Sequence, residues 1–215
     1  MEYIQHILHI ILHIDQFLIS FITDYGQATY VILFAIIFCE TGLVVTPFLP
    51  GDSLLFAAGS IAAHPDALLD VKLLFVLLTL ASILGNKVNY LIGRALGPHI
   101  FSARKSWLLN KKHLDEAHRF YQKHGGKTIL LARFLPIIRT FAPFVAGIGQ
   151  MHMGRFAFYN IISAIIWAGS FLYAGYFFGS IPIVKDNFVI VIYAIIIISL
   201  LPALIAYLSK KLRTS

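Results

Sequence analysis

At 215 residues, 59% hydrophobic, 13% charged and with a mean hydropathy of +0.81, the chain cannot be an ordinary soluble domain and falls in the membrane class. Its net charge of +7 is not distributed like a nucleic-acid surface, because eight of the 17 basic residues lie between Arg94 and Lys127 and three more close the chain at Lys210, Lys211 and Arg213. The positive-inside rule makes both segments cytoplasmic, so no nucleic-acid partner is expected, and the single cysteine, Cys39, excludes an internal disulfide and a metal site built on sulfur.

Met1–His13 has no basic n-region and no A-x-A cleavage pattern, so a cleavable signal peptide is not expected. Residues 1–27 read as an amphipathic helix at the interface, long enough to be a tilted span instead. His6, His9 and His13 fall on one face of it and read as interfacial histidines; no metal or cofactor is expected.

Residues 28–181 read as one core. Thr46-Pro-Phe-Leu-Pro-Gly-Asp52 breaks the first apolar stretch, and Ser53–Ala63 returns as a short half-helix. Ala28–Ala63 is therefore either a helix plus an outside-facing hairpin or one deep hairpin, with its re-entrant part near 40–63. Val71–Gly93 is expected to run inward, leaving His64–Asp70 outside and 94–127 as a basic cytoplasmic loop.

Working back from a cytoplasmic C-terminus, Phe188–Leu208 spans, Ser180–Asn187 turns outside and Phe156–Phe178 spans again, so 182–215 supplies a terminal helix and a basic tail. Both ends of Thr128–Gln150 then lie on one side. That stretch is predicted to be a second re-entrant hairpin over 128–150, broken at Pro136, Pro143 and Gly147. Phe48-Leu49-Pro50 and Ala58-Gly59 recur as Phe134-Leu135-Pro136 and Ala146-Gly147. The expected fold is an all-α polytopic membrane protein whose two opposed re-entrant hairpins form an inverted repeat, the plan by which many transporters build a site near the midplane.

Glu40, Asp52, Arg133 and Arg139 are the charges inside the two broken stretches. Each costs about 2.5–3.5 kcal/mol at bilayer depth on insertion scales, so each is paired, working, or both. Arginine presents a planar fork that matches phosphate or carboxylate oxygens in bidentate fashion, which makes Arg133 and Arg139 candidates for binding an anionic substrate. Glu40 and Asp52 are candidates for counter-ion and proton coupling, Asp52 also for capping the returning half-helix. Asn86, Lys87 and Asn89 form a secondary polar pathway in a spanning helix, Lys87 reading mainly as a snorkelling residue.

These residues lie in long motifs. Phe38-Cys39-Glu40-Thr41-Gly42 through Thr46-Pro47-Phe48-Leu49-Pro50-Gly51-Asp52-Ser53 resembles the first signature of the bacterial DedA family. Leu131-Ala132-Arg133-Phe134-Leu135-Pro136 through Arg139-Thr140-Phe141-Ala142-Pro143-Phe144-Val145-Ala146-Gly147 resembles the second. The likeness extends over nearly the whole chain, including Tyr173-Ala174-Gly175-Tyr176-Phe177-Phe178-Gly179. It departs at Gly85-Asn86, where many relatives carry an acid, which puts a proton or cation role at Asn86 in doubt.

The resemblance implies a bacterial inner-membrane protein, related to lipid scramblases of the VTT-domain type, whose functional acids and arginines are Glu40, Asp52, Arg133 and Arg139. The function expected from it is transport rather than catalysis: translocation of an anionic lipid, foremost undecaprenyl (polyprenyl) phosphate, between leaflets and coupled to protons. A proton-coupled antiporter of small cations or drugs and a phospholipid scramblase are the alternatives, and a homo-oligomer is open. A lipid phosphatase is disfavoured, since no histidine or cysteine stands beside the arginines as a nucleophile.

Overall fold

The computed structural model describes residues 26–43, 51–64, 67, 69–102, 125–179, 181–187, 190–191 and 194–195. All seven regular elements among them are helices: α1 Ala28–Gly42, α2 Gly51–Ala62, α3 Val71–Ser102, α4 Lys127–Ala132, α5 Pro136–Ile148, α6 Met153–Phe178 and α7 Pro182–Asp186. Over Val71–Gly97 and Met153–Phe178, α3 and α6 are long and apolar enough to cross a bilayer. The expectations for 1–25, with the three histidines, for the break at 44–50, for most of the basic loop and for nearly all of Phe188–Leu208 lie outside the described residues.

The helices are inverted relative to those of a soluble protein. On α3, Leu73, Val76, Leu80, Leu84, Val88 and Leu91 recur at helical spacing and are exposed, whereas Thr79, Ser82, Asn86 and Asn89 are buried. On α6, Phe158, Ile161 and Ile165 face outward while Asn160 and Ser163 are buried. Apolar side chains outside and amides inside fit a lipid solvent, in which polar groups must find partners within the protein.

The chain divides into two compact units. The first takes the described residues of Met1–Ala35, Pro50–Leu78 and Ala168–Ile198; the second those of Ile36–Leu49, Thr79–Trp167 and Ser199–Ser215. In the first, the small residues Ala57, Ala58 and Gly59 let α2 lie directly on α6: a Cβ at Gly59 would collide with the backbone of Leu172 and Tyr176, and one at Gly175 with that of Phe56. In the second, α5 lies on α3 by the same contacts, since a Cβ at Gly147 would collide with Tyr90 and Arg94, and one at Gly93 with Phe144. Phe56 and Gly59 are spaced as Phe144 and Gly147 are, and Leu172, Gly175 and Tyr176 as Tyr90, Gly93 and Arg94.

Several expectations shift. The stretch 128–150 has its break at Arg133–Leu135, between α4 and α5; α5 continues through Pro143 and Gly147, which do not interrupt it. Proline's fixed φ fits a helix, and the lost hydrogen bond is the one that Pro143 would have returned to the Arg139 carbonyl. The basic segment begins as helix, because α3 runs to Ser102. The turn expected over Ser180–Asn187 contains α7, with Pro182 in its first turn.

Candidate functional site

The second unit gathers a set of buried polar side chains from five helical segments. Glu40 sits near the end of α1, fully buried, where Gly42 meets Gly85 closely enough to bring α1 against α3. Arg139 lies in the first part of α5, whose start is fixed by extended Leu135 and by Pro136 at the helix entrance. Its Nη2 donates to Glu40 Oε1 in an ion pair whose partners are 6% and 0% exposed.

Arg133 follows α4 in the turn that separates it from α5. Its Nη1 donates to Asn160 Oδ1 and to Ser163 Oγ, both at 3.2 Å. Both acceptors are neutral, so no carboxylate among the described residues forms a salt bridge with Arg133. Its Nε and Nη2, which share one edge of the guanidinium plane, are buried without a hydrogen-bond partner among the described residues. Such an edge suits two oxygens of one phosphate or carboxylate.

Trp167 is shared by the two cations. The Arg133 and Arg139 guanidinium carbons lie 5.2 and 5.3 Å from its ring centroid, within cation–π range. The indole thus holds two like charges in one buried place while Glu40 balances one of them.

The amides tie the helices together. Asn86 Nδ2 donates to Asn160 Oδ1 at 3.0 Å, and Asn160 Nδ2 donates to the Ile83 carbonyl at 3.0 Å, so Asn160 locks α6 to α3 while accepting from Arg133. Asn89 Nδ2 donates to the carbonyls of Thr41 at 3.2 Å and Thr140 at 2.7 Å, the residues following Glu40 and Arg139. At one end of the unit, Tyr90 donates its hydroxyl proton to the Met151 carbonyl and stacks on Phe156 at 4.4 Å.

Of the residues singled out from sequence, Glu40, Arg133, Arg139, Asn86 and Asn89 meet in this one unit. Asp52 belongs to the other unit, buried in the first turn of α2, where its charge suits the helix dipole. Lys87 is on the exposed side of α3. Trp167, Asn160 and Ser163 were not anticipated, although Asn160, Ser163 and Trp167 repeat at helical spacing within an otherwise apolar span.

Comparison with known proteins agrees with the inside-out helices. Residues 49–177 match the model of the VTT domain. Protein DedA of Escherichia coli (strain K12) is 53% identical over 211 residues, covering 98% of this chain and 96% of its own. An uncharacterized membrane protein of Mycobacterium tuberculosis (strain H37Rv) is 41% identical over 182 residues, with 85% and 80% covered. The inner membrane protein YqjA of Escherichia coli (strain K12) is 36% identical over 161 residues, with 72% and 69% covered. No solved structure matches the chain. With the domain model spanning most of the chain and identity above half to a full-length relative, this protein belongs to the VTT-domain (DedA) family of membrane proteins.

Proposed function

We propose that the protein is a transporter, not an enzyme, that moves an anionic lipid between the leaflets of a bacterial inner membrane. Undecaprenyl (polyprenyl) phosphate is the foremost substrate, and the proton gradient drives the movement. The observation that carries this reading is the Nε/Nη2 edge of Arg133, buried without a hydrogen-bond partner among the described residues and beside neutral amide and hydroxyl groups. A buried guanidinium left so is costly, and a headgroup phosphate supplies both acceptors and the opposite charge. Arg139 is the second phosphate ligand, masked by Glu40 until that acid is protonated. Asp52 shares the proton-coupling role, to be tested separately with Asp52→Asn.

The matched contacts of α2 with α6 and of α5 with α3 support an inverted repeat. In this reading α4–α5 is one re-entrant hairpin, α1–α2 supplies the other, and the C-terminus faces the cytoplasm.

The test is leaflet exchange of labelled undecaprenyl phosphate in proteoliposomes, with and without a pH gradient, for the wild type and Arg133→Ala. Exchange that needs Arg133 and responds to the gradient is expected. Exchange equal to that of protein-free vesicles, with folded protein verified, overturns the assignment. Equal loss of a zwitterionic phospholipid's exchange in Arg133→Ala would make the protein a general phospholipid scramblase.

A further inference from the structure

The buried face of α3 carries more polar groups than the arginine site uses. Thr79, Ser82, Asn86 and Asn89 lie at i, i+3, i+7 and i+10 on one helical face, spanning about 15 Å at the rise of an α-helix. All four are buried, Ser82 and Asn89 completely. Thr79 Oγ1, Ser82 Oγ and Asn89 Oδ1 have no hydrogen-bond partner among the described residues.

Two buried hydroxyls of the same unit, on Thr41 and Ser163, satisfy themselves within their own helix, whereas Thr29 Oγ1 in the other unit is also unpartnered among the described residues. Thr41 Oγ1 donates back to the Ile37 carbonyl at 2.8 Å, and Ser163 Oγ to the Asn160 carbonyl at 3.0 Å. Thr79 and Ser82 make no such bond. Orphaned polar atoms at such depth are normally met by buried water, which makes about three hydrogen bonds per molecule.

The row has a direction. At one end Asn89 is hydrogen-bonded to the carbonyls that follow Glu40 and Arg139. Midway, Asn86 reaches Arg133 through Asn160. We infer that the α3 face from Thr79 to Asn89 holds a file of water molecules that leads to the Glu40–Arg139 pair. Its use for protons rests on the proposed function; the presence of water does not. A proton entering the file passes from water to water, each oxygen gaining one proton and releasing another, and ends on the Glu40 carboxylate. That neutralises Glu40 and leaves the Arg139 guanidinium charged. The hydroxyls and amides of the row orient the water and take no proton.

Two measurements test this in proteoliposomes. In a Cys39→Ala background, which contains no other thiol, Ser82→Cys and Thr79→Cys are exposed to a small hydrophilic methanethiosulfonate reagent. Ala81→Cys and Ala164→Cys, at fully buried apolar positions, are the dry references. Labelling at 82 and 79 at least about tenfold faster than at 81 and 164 is expected, since a thiol reacts as the hydrated thiolate. Equal rates at all four positions overturn the file, whatever the protein transports; should Ser82→Cys not fold, Thr79→Cys decides. The second measurement compares gradient-driven with gradient-free lipid exchange in Thr79→Val and Ser82→Ala. The driven rate should fall several-fold and the undriven rate stay within twofold. If the labelling succeeds and neither rate changes, the file exists and its proton role is refuted.

Discussion

Arg139 on α5 and Glu40 on α1 form an ion pair across 99 positions of sequence, with neither side chain more than 6% exposed. Removing one partner of such a pair strands the other, at about 3–5 kcal/mol, whereas removing both costs less than the sum. Glu40→Ala should therefore lower stability by that amount in mixed-micelle unfolding titrations. Glu40→Gln combined with Arg139→Gln should recover part of it. Additive losses would mean that the two side chains are not energetically coupled.

Trp167 underlies both guanidiniums, and each desolvated cation–π contact contributes about 2 kcal/mol. Trp167→Leu should weaken binding of a lipid phosphate by about tenfold or more, equivalent to about 1.4 kcal/mol, as read by competition with a spin-labelled phosphate lipid. Trp167→Phe, which keeps an aromatic face, should lose less. Equal losses in the two variants would assign the indole a space-filling role alone.

Asn160 accepts from Asn86 and Arg133 and donates to the Ile83 carbonyl. A carboxylate in its place would sit within 3.2 Å of Arg133 Nη1 and give that cation the internal counter-ion that the described residues lack. Asn160→Asp should thus abolish binding of anionic lipid while the protein still folds, because the charge-assisted bond to Arg133 offsets the lost bond to the Ile83 carbonyl and the oxygen–oxygen repulsion that replaces it. Asn160→Leu should cost more stability, orphaning Asn86 and one donor of Arg133 at about 1–3 kcal/mol each. Anion binding by Asn160→Asp at wild-type affinity would remove Arg133 from the phosphate site.

The charged members of the site were legible in the sequence because the bilayer makes them expensive: Glu40, Arg133 and Arg139 stand out from apolar surroundings on cost alone. The pairing of Arg139 with Glu40 was not legible in detail, since two acids and two arginines allow several pairings and only folded geometry selects one. Asn160, Ser163 and Trp167 escaped because an amide, a hydroxyl and an indole are each tolerated in a spanning helix, and their shared face means something only once Arg133 is set against it. Pro143 misled for a related reason: a proline marks a break where the next turn has nothing to hold it, and here Gly147 and Phe144 hold α5 to α3. The short repeat Ala58-Gly59 and Ala146-Gly147 was a weak signal as letters and a strong one as contacts, each glycine meeting a helix backbone in the same way.

Those glycines give the last prediction. In a helix interior alanine is normally better than glycine by about 1 kcal/mol, because glycine loses more backbone freedom on folding. At Gly59, Gly93, Gly147 and Gly175 the added methyl would meet the backbone of the facing helix, which can yield only by moving the helix. Overpacking of this kind costs about 1–3 kcal/mol or more, so each Gly→Ala variant should be destabilised despite its propensity gain. Gly169, inside α6, is the internal control: a Cβ there would lie 3.4 Å from the Phe75 Cε2, an ordinary contact with a side chain, and Gly169→Ala should keep or raise stability. If the matched contacts also reflect matched mechanical roles, Gly59→Ala and Gly147→Ala should slow lipid exchange to similar degrees. Thermal unfolding in detergent alongside exchange in vesicles reads both. Stabilisation by alanine at any of the four close-packed positions would show that the facing helices are not held in contact there.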